Sequence, residues 1–252
     1  MLNDKVVMIT GAAGRIGASA TRAVIEQGGS VALVDVDYER LASLVEGLPA
    51  NRTLALYGNP LLPDEADRLI SAACERFERI DGIIHSAYPR SEGWGAAFED
   101  LVPEYLFEDL SNHLGGAILF SQRALLFFKK QGRGNLIHVS SVQGVSAPKF
   151  EHYEGTSMVS PIEYSAIKSG LISVTRYLAK YYRGMNIRVN CISPGGILDN
   201  QPDGFLEKYR ASCNDKGMLD AEDLNGSIVY LLSDYSRYVT GQNIVVDDGW
   251  SL

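Results

Sequence analysis

Cysteine is scarce in this chain of 252 residues, and long apolar runs are missing. Its three cysteines lie far apart and its four histidines show no metal-ligand spacing, so no metal site is predicted. An odd, sparse set of cysteines is typical of a reducing compartment, so we expect a cytoplasmic protein. No apolar run approaches the roughly 18 residues that span a bilayer, and the first residues lack the layout of a signal peptide, so no membrane partner is expected.

Positive charge is also scarce relative to negative charge. The chain has 23 lysines and arginines against 31 aspartates and glutamates, which gives a net charge of −8. An acidic surface repels phosphate backbones, so nucleic acid is not expected as a partner. The length and the 46% hydrophobic content suit one sizeable core, so we predict a single domain over residues 1–252.

Short apolar segments alternate with amphipathic helical segments along the chain. Strands are predicted at 5–10, 30–35, 53–57, 80–87, 135–139, 187–192 and 243–246. Helices are predicted between them, with a long helical region over 101–130 and a final helix over 221–232. This alternation predicts an α/β fold in which helices cover both faces of a parallel sheet.

Unusual residues recur where the predicted strands end. A glycine loop follows the first strand, and Asp35 ends the second. The fourth strand ends in 85–88, the fifth in Ser140-Ser141, and the sixth in 193–196. Ligands of parallel sheets bind at the carboxyl ends of the strands. The shared position of these residues therefore predicts one binding site at this edge.

The glycine loop has the properties of a nucleotide-binding turn. Gly11, Gly14 and Gly17 lie between a strand and a helix, where a backbone without side chains can approach a pyrophosphate. Asp35 follows about 20 residues later and can accept hydrogen bonds from ribose hydroxyls. Its charge repels a 2′-phosphate, which favours NAD over NADP. Arg15 is either solvated or reaches a cofactor phosphate.

Tyr164 and Lys168 lie four residues apart at the start of a predicted helix. We expect residues 160–163 to form a capping box, with Pro161 at the first helical position. Residues four apart share a helix face, so the ammonium is expected to lower the phenol pKa from about 10 towards neutrality. The pair can then give or take a proton. Read alone, the motif more often marks an ordinary surface helix.

The motifs in this order resemble those of the short-chain dehydrogenase/reductase family along nearly the whole chain. They are the glycine loop, Asp35, Asn112, Ser141, Tyr164 with Lys168, Pro194-Gly195, and Thr240-Gly241 before Val246-Asp247-Asp248-Gly249. The resemblance implies a Rossmann-type, doubly wound parallel sheet of about seven strands with helices on both faces. It also implies a nicotinamide cofactor and a homodimer or homotetramer.

The resemblance implies a catalytic role for four residues. Tyr164 resembles the family's acid/base, and Lys168 resembles the residue that lowers the tyrosine pKa and holds the nicotinamide ribose. Ser141 resembles the serine that binds the substrate oxygen. Asn112 resembles the helix asparagine that positions a proton-relay water.

The resemblance also implies how the cofactor is bound. Ile197 stands where the family's backbone contacts the nicotinamide amide, and Ala87 is retained from the family's Asn-Asn-Ala-Gly. The expected cofactor contacts are Gly11, Gly14, Arg15, Ile16, Gly17, Asp35, Ala87, Tyr164, Lys168 and Ile197. We expect the cofactor to be NAD, with NADP as the weaker alternative.

Three short motifs depart from the family pattern. Arg15 occupies the usual middle glycine, and the glycine spacing is that of the family's extended class. The usual Asn-Asn-Ala-Gly reads His85-Ser86-Ala87-Tyr88, in which Tyr88 either borders the active site or simply packs. Asp199 replaces the usual threonine after Pro-Gly and is a poor neighbour for a phosphate.

Ser141 and Tyr164 are 23 positions apart, about ten more than is typical of the family. Tyr153 lies near the typical distance, but it is a weak rival because Ser157, not a lysine, follows four residues later. We expect the insert, residues 148–161, to border the substrate. It is similar to one in bacterial members linked to surface-sugar and nonulosonate biosynthesis, and its aromatic and polar side chains suit a sugar.

Two polar, glycine-rich segments, 91–99 and 196–216, are expected to close over the substrate. We expect Trp94 and Trp250 to pack in the core or an interface, with a position at the border of the pocket as the alternative. The predicted function is hydride transfer between NAD and a secondary alcohol or ketone, such as an amino sugar or sugar phosphate. The alternatives are an NADP-dependent 3-ketoacyl-type reductase and a catalytically silent nucleotide-binding regulator.

Overall fold

Seven parallel strands form one sheet through the centre of the molecule, in the order β3-β2-β1-β4-β5-β6-β7. The structure, a computed structural model, describes residues 1–252. The strands are β1 Val6–Thr10, β2 Ser30–Asp35, β3 Thr53–Tyr57, β4 Gly82–His85, β5 Gly134–Val139, β6 Ile187–Pro194 and β7 Asn243–Val246. Every neighbouring pair is parallel, which confirms the predicted sheet.

Eight α-helices connect the strands and cover both faces of the sheet. They are α1 Arg15–Glu26, α2 Tyr38–Val45, α3 Pro63–Phe77, α4 Pro103–Asp109, α5 Gly116–Gln131, α6 Ile162–Tyr181, α7 Asp203–Ala211 and α8 Asn225–Leu232. The doubly wound, Rossmann-type arrangement is therefore confirmed. None of the helices has the length and apolar character needed to cross a bilayer.

Alternate residues of each strand enter the two halves of the core. Val7 and Ile9 of β1 pack on the side of α1 and α8, whereas Met8 packs on the side of α3 and α5. This division follows from the two-residue repeat of a strand. All five residues of β1 are buried, so both faces of the strand must be apolar and no polar alternation appears in its sequence.

Three predicted elements differ most in extent from the structure. The final helix, predicted over 221–232, begins with a 3₁₀ turn over Ala221–Leu224 and becomes α-helical as α8 at Asn225. The strand predicted over 80–87 is limited to β4, Gly82–His85. The helical region predicted over 101–130 consists of α4, a π-helical turn over Leu110–Gly115, and α5. A π turn accommodates an additional residue, and it changes which side chains face the site.

The predicted capping box of the Tyr164 helix is wrong. α6 begins at Ile162, with Pro161 in the N-cap position and no side-chain cap. The Ser160 hydroxyl donates instead to Gln143 Oε1 at 2.9 Å, and Glu163 is buried. The hydroxyl is therefore engaged by a tertiary partner, which local sequence spacing does not contain.

Candidate active site

Two glycines determine the path of the loop between β1 and α1. Gly11 has a φ of 67°, and a Cβ added there would lie 2.7 Å from the Ser86 carbonyl oxygen. A Cβ at Gly17 would lie 2.2 Å from the Gly11 carbonyl oxygen. Both positions therefore exclude any side chain. Gly14 is the N-cap of α1 and lines a cleft, so the N–H groups of the helix start are available to an anion.

The Asp35 carboxylate is held at the end of β2 by backbone donors. It accepts hydrogen bonds from the Ala13 N–H at 2.8 Å and the Asp37 N–H at 3.0 Å. Asp35, Gly11 and Ala87 line the same cleft of about 590 Å³. The cleft has the size of a small-molecule site. Its acidic residue and helix N-terminus fit the ribose and pyrophosphate of a dinucleotide.

Arg15 has a partner that the sequence did not suggest. Its guanidinium forms an ion pair with the Asp199 carboxylate, and both side chains are about half exposed. Ile16, next to it, packs its side chain against the core. Ile197 forms a bridge with Leu219, which connects the segment after β6 to the segment before α8. The glycine loop and the loop after β6 are thus in direct contact.

Ser141, Tyr164 and Lys168 come together where β5 ends and α6 begins. Lys168 Nζ donates to the Val139 carbonyl oxygen at 3.1 Å and lies 5.5 Å from the centre of the Tyr164 ring. The Ser140 hydroxyl donates to the Lys168 carbonyl oxygen at 2.7 Å, which fixes α6 against the strand end. Ser141 and Lys168 are buried, and Tyr164 is half-buried.

The pKa values of this group differ from the expectation drawn from the sequence. Burial raises the pKa of the Tyr164 phenol, while the neighbouring Ser141 hydroxyl lowers it to a smaller extent. Burial lowers the pKa of Lys168 to about 8. The protein alone therefore does not produce the predicted lowering of the phenol pKa by Lys168. The Lys168 ammonium donates to the Val139 carbonyl oxygen, and burial disfavours both the phenolate of Tyr164 and the ammonium of Lys168.

Two aromatic side chains from the segment after β4 contact the ring of Tyr164. The centre of the Tyr88 ring lies 5.9 Å from that of Tyr164, and the centre of Trp94 lies 6.1 Å from it. Tyr88 and Trp94 also contact each other in an edge-to-face arrangement. Tyr88 therefore borders the site. Trp94 packs against the buried residues Ala117, Ile167 and Leu171, as expected, and it also lies beside Tyr164. Trp250 is buried, as expected.

Asn112 and its neighbour His113 face opposite directions from the π turn. Asn112 is exposed and lines the cofactor-sized cleft. His113 is buried, with its ring centre 5.0 Å from that of Tyr88. Burial lowers the pKa of His113 to about 2, and the charge of Lys168 contributes to the shift. His113, which the sequence motifs did not single out, is therefore the residue of this turn that enters the buried interior.

The insert between Ser141 and Tyr164 packs against α7. His152 is buried, its Nε2 lies 2.9 Å from the Ser212 hydroxyl oxygen, and its ring contacts Trp250. Lys208 Nζ donates to the carbonyl oxygens of Glu151 and Glu154 at 2.9 Å each. The insert and α7 therefore form one side wall, and the segment 196–216 contains a packed helix that the sequence analysis missed.

Tyr153 is directed towards Gln143, and Tyr164 is the tyrosine beside Ser141. The Gln143 amide donates to the Tyr153 hydroxyl at 3.3 Å, and the Tyr153 ring packs on Phe205. Gln143 and Tyr153 line a second cavity of about 840 Å³. Its other walls come from the insert, the start of α6 and the segment before α4. The lining mixes aromatic rings with hydroxyl and amide groups.

Comparison with known proteins agrees with this geometry. A family model described as enoyl-(acyl carrier protein) reductase matches residues 11–251. The post-translational flagellin modification protein A of Campylobacter coli is 45% identical over 256 residues, covering 100% of both chains. The 3-oxoacyl-[acyl-carrier-protein] reductase of Thermotoga maritima is 31% identical, covering 98% of both chains.

A solved structure shares both the fold and part of the sequence. The short-chain dehydrogenase of Leptospira borgpetersenii with bound NAD⁺ has a TM-score of 0.86 and 31% identity, covering 100% of this chain and 94% of that one. The match extends over the whole length of this chain, so it includes all seven strands of the sheet. The chain therefore belongs to the short-chain dehydrogenase/reductase family of oxidoreductases.

Proposed function

We propose that residues 1–252 form an NAD-dependent oxidoreductase that interconverts a secondary alcohol and a ketone on a sugar or amino sugar. The observation that carries this proposal is the joint placement of Ser141, Tyr164 and Lys168 beside a cleft that contains Asp35. A binding protein without activity would not require a buried lysine next to a tyrosine and a serine.

The chemistry follows from the positions of the three side chains. The Ser141 hydroxyl and the Tyr164 phenol hydrogen-bond to the substrate oxygen, and the phenolate removes the hydroxyl proton during oxidation. In reduction Tyr164 returns that proton to the developing oxyanion. A nicotinamide cofactor held in the cleft would supply or accept the hydride, and its oxidised ring would add to the effect of Lys168 in favouring the phenolate.

The preference for NAD rests on Asp35. Its carboxylate is held in place by the Ala13 and Asp37 N–H groups at the edge of the cleft. The fixed carboxylate can accept hydrogen bonds from ribose hydroxyls, and its negative charge would repel a 2′-phosphate. Arg15 has the acidic neighbour Asp199, which would also repel a 2′-phosphate. The fixed carboxylate of Asp35 and the acid beside Arg15 both favour a cofactor without the 2′-phosphate.

The substrate class is supported by the walls around Tyr164. Tyr88 and Trp94 place aromatic rings against Tyr164. Gln143, Tyr153 and Ser160 provide hydrogen-bonding groups in the cavity beside the start of α6. Sugars combine apolar ring faces with hydroxyl groups, so they match such a lining. The similarity to a flagellin modification protein supports the same class.

A ketoacyl-type reductase is the second candidate. The reductase description of the matching family model and the 31% identity to a 3-oxoacyl reductase favour it. That candidate requires NADP and a channel for a long apolar chain, so cofactor choice separates the two. A silent regulator, the third candidate, would bind the dinucleotide without turning over any alcohol.

The test is a titration of NAD(H) and NADP(H) followed by nicotinamide fluorescence. Each cofactor is then combined with a panel of amino sugars, sugar phosphates and ketoacyl thioesters. We expect tighter binding of NAD(H) and turnover of a sugar. NADP(H) preference with thioester turnover would support the ketoacyl reductase instead, and binding without any turnover would support the regulator.

We further propose a cytoplasmic homodimer or homotetramer. The three cysteines are free, which fits a reducing compartment. Large apolar side chains are exposed on α5 and α6, among them Leu119, Leu126, Tyr177 and Tyr181. Such a surface suits contact with a second copy of the chain. Light scattering after size-exclusion chromatography tests this directly, and a monomer at micromolar concentration would contradict it.

A further inference from the structure

Gln143 lies between Ser141 and the insert that follows β5. It belongs to a 3₁₀ turn over Val142–Gly144, and its backbone N–H donates to the Ser141 hydroxyl oxygen at 3.2 Å. Its side chain lines the cavity of about 840 Å³, which Ser165, the residue after Tyr164, also lines. The Gln143 amide therefore lies beside the residues that hold the reacting oxygen in the proposed function.

The protein satisfies the Gln143 amide only in part. Its oxygen accepts from the Ser160 hydroxyl at 2.9 Å and from the Ser165 hydroxyl at 3.4 Å, so both lone pairs are used. Its nitrogen has two hydrogens but makes one hydrogen bond, to the Tyr153 hydroxyl oxygen at 3.3 Å. The Tyr153 hydroxyl accepts this bond and makes no other within the protein. One N–H of Gln143 and the O–H of Tyr153 are therefore donors without a protein acceptor.

Both donors are held in place by their surroundings. The Tyr153 ring packs on Phe205, with 5.2 Å between the ring centres, and the two serine hydroxyls hold the Gln143 amide. Gln143 and Tyr153 are half-buried at the cavity wall. A ligand that fills the cavity removes water from both donors, so a ligand without acceptor atoms leaves them unpaired.

The same cavity offers no positive charge to a ligand. Glu99 is the one charged side chain in its lining, and no lysine, arginine or histidine is present there. A phosphate or carboxylate would lose its hydration in the cavity without gaining a counter-ion. The two donors therefore fit neutral acceptor oxygens, such as those of hydroxyl or amide carbonyl groups.

We propose that Gln143 and Tyr153 are specificity-determining residues that bind neutral oxygen substituents near the reacting carbon. This assignment rests on the proposed function and makes its substrate class narrower. The substrate has at least one further hydroxyl or carbonyl group on the ring that carries the reacting alcohol, and any charged group of the substrate lies outside this cavity. Tyr153 has nearly the spacing from Ser141 that is typical of the family's acid/base, but its role here is recognition of the substrate.

Small cyclic alcohols test this subsite directly. The probes are cyclohexanol, the 1,2- and 1,3-diols of cyclohexane, and the hydroxycyclohexane carboxylates with the same substitution. With NAD⁺ and the wild-type protein, we expect the best diol to have a kcat/KM at least about tenfold above that of cyclohexanol, because the simple alcohol leaves the two donors unpaired. The carboxylates should fall below the best diol by at least the same factor.

The variant Gln143→Glu separates recognition of the substrate from a structural role. A carboxylate can accept from the hydroxyls of Ser160, Ser165 and Tyr153, so the insert stays attached, but neither donor remains free. We expect the preference for the diol over cyclohexanol to fall to within about threefold. Tyr153→Phe keeps the ring packing and should also reduce the preference. If Gln143→Glu keeps the wild-type preference, the amide only holds the insert and the proposal is overturned.

Ser169→Ala provides a matched control on the same cavity wall. The Ser169 hydroxyl donates to the Gly144 carbonyl oxygen at 3.2 Å, so it is already engaged by the protein. We expect this variant to keep the wild-type preference for the diol. A loss of preference as large as in Gln143→Glu would overturn the proposal, because any change of the cavity wall would then have the same effect.

Binding to the complex with NADH gives a readout that does not depend on turnover. NADH cannot accept a hydride from an alcohol, so a titration followed by nicotinamide fluorescence measures binding alone. If the diol binds at least about tenfold more tightly than cyclohexanol but no probe is oxidised with NAD⁺, the proposed function fails and the subsite stands. If alcohols are oxidised without any preference for the diol, the subsite fails and the function stands. Equal binding of the diol and cyclohexanol also overturns the subsite.

Discussion

The cofactor side and the substrate side of this molecule are built by different means. On the cofactor side, backbone geometry dominates: Gly11 and Gly17 exclude side chains, and backbone N–H groups orient Asp35. On the substrate side, side chains dominate, since the insert is held on α7 through His152 and aromatic neighbours. We therefore expect a single added side-chain atom on the cofactor side to cause a large loss of cofactor affinity. Substitutions on the substrate side should change the substrate KM and the stability by smaller amounts, because they only loosen packing.

The largest effect should come where the two sides meet, at Tyr164. We expect Tyr164→Phe to lower hydride transfer by at least about 10³-fold, because the acid/base is removed while the ring remains. NAD(H) affinity should stay within about twofold by nicotinamide fluorescence. Turnover at the wild-type rate would refute the proposed mechanism.

A steric change at Gly11 should break the cofactor side. In Gly11→Ala the new Cβ meets the Ser86 carbonyl oxygen at 2.7 Å and adopts a positive φ, so we expect NAD(H) affinity to fall by at least about tenfold. Gly47→Ala is the matched control, because φ there is 80° but nothing lies within 4 Å. The control should lower stability by about 1 kcal/mol and leave cofactor binding unchanged.

Equal loss of NAD(H) affinity in both alanine variants would contradict this explanation. Backbone strain would then be the cause, and the contact with Ser86 would not matter. Isothermal titration calorimetry for the cofactor and chemical denaturation for stability, applied to the same protein preparations, separate the two quantities.

A charge change at Asp35 should alter selectivity and leave the fold intact. We expect Asp35→Ser to shift the ratio of kcat/KM for NAD⁺ over NADP⁺ by about tenfold towards NADP⁺, because the repulsion of the 2′-phosphate is removed. Asp37, whose side chain accepts from the Arg40 N–H at the start of α2, serves as the comparison. A larger shift in Asp37→Ser than in Asp35→Ser would contradict this explanation, because Asp37 would then determine the cofactor selectivity.

The smallest effect should arise on the substrate side, at His152. His152→Ala removes the contact with Ser212 and leaves space beside Tyr209 and Trp250, so the insert should pack less tightly on α7. We expect the substrate KM to rise by a few fold and the free energy of unfolding to fall by about 1–3 kcal/mol, with NAD(H) affinity unchanged. A loss of NAD(H) affinity would show that the two sides are not separate.

The same division explains what the sequence could predict. Strands, most helices and the glycine loop depend on local patterns such as apolar repeats and turn residues, and these predictions were confirmed. The position of Asp35 beside the glycine loop could be predicted because its distance from the loop along the chain is nearly fixed by the strand and helix between them. Its role as a ribose acceptor stays a prediction. The cofactor side is therefore largely encoded in short-range sequence.

Features that depend on distant partners were missed. Ser160 was expected to cap α6, but its hydroxyl donates to Gln143. The π turn is a further example, since the choice between Asn112 and His113 depends on one additional residue in a helix that otherwise has ordinary periodicity. The sequence signal for the π turn was one residue more than the ordinary helical repeat near Asn112, the position of the family's asparagine.

The ion pair between Arg15 and Asp199 has a consequence for the speed of cofactor exchange. It joins the loop after β1 to the loop after β6, and both side chains are about half exposed. Exposed pairs of this kind contribute only about 0–1 kcal/mol, so the contact opens many times between cofactor encounters and slows entry by at most a few fold. Raising the ionic strength screens the pair, and the association rate for NAD(H) then becomes a measure of how often these two loops separate.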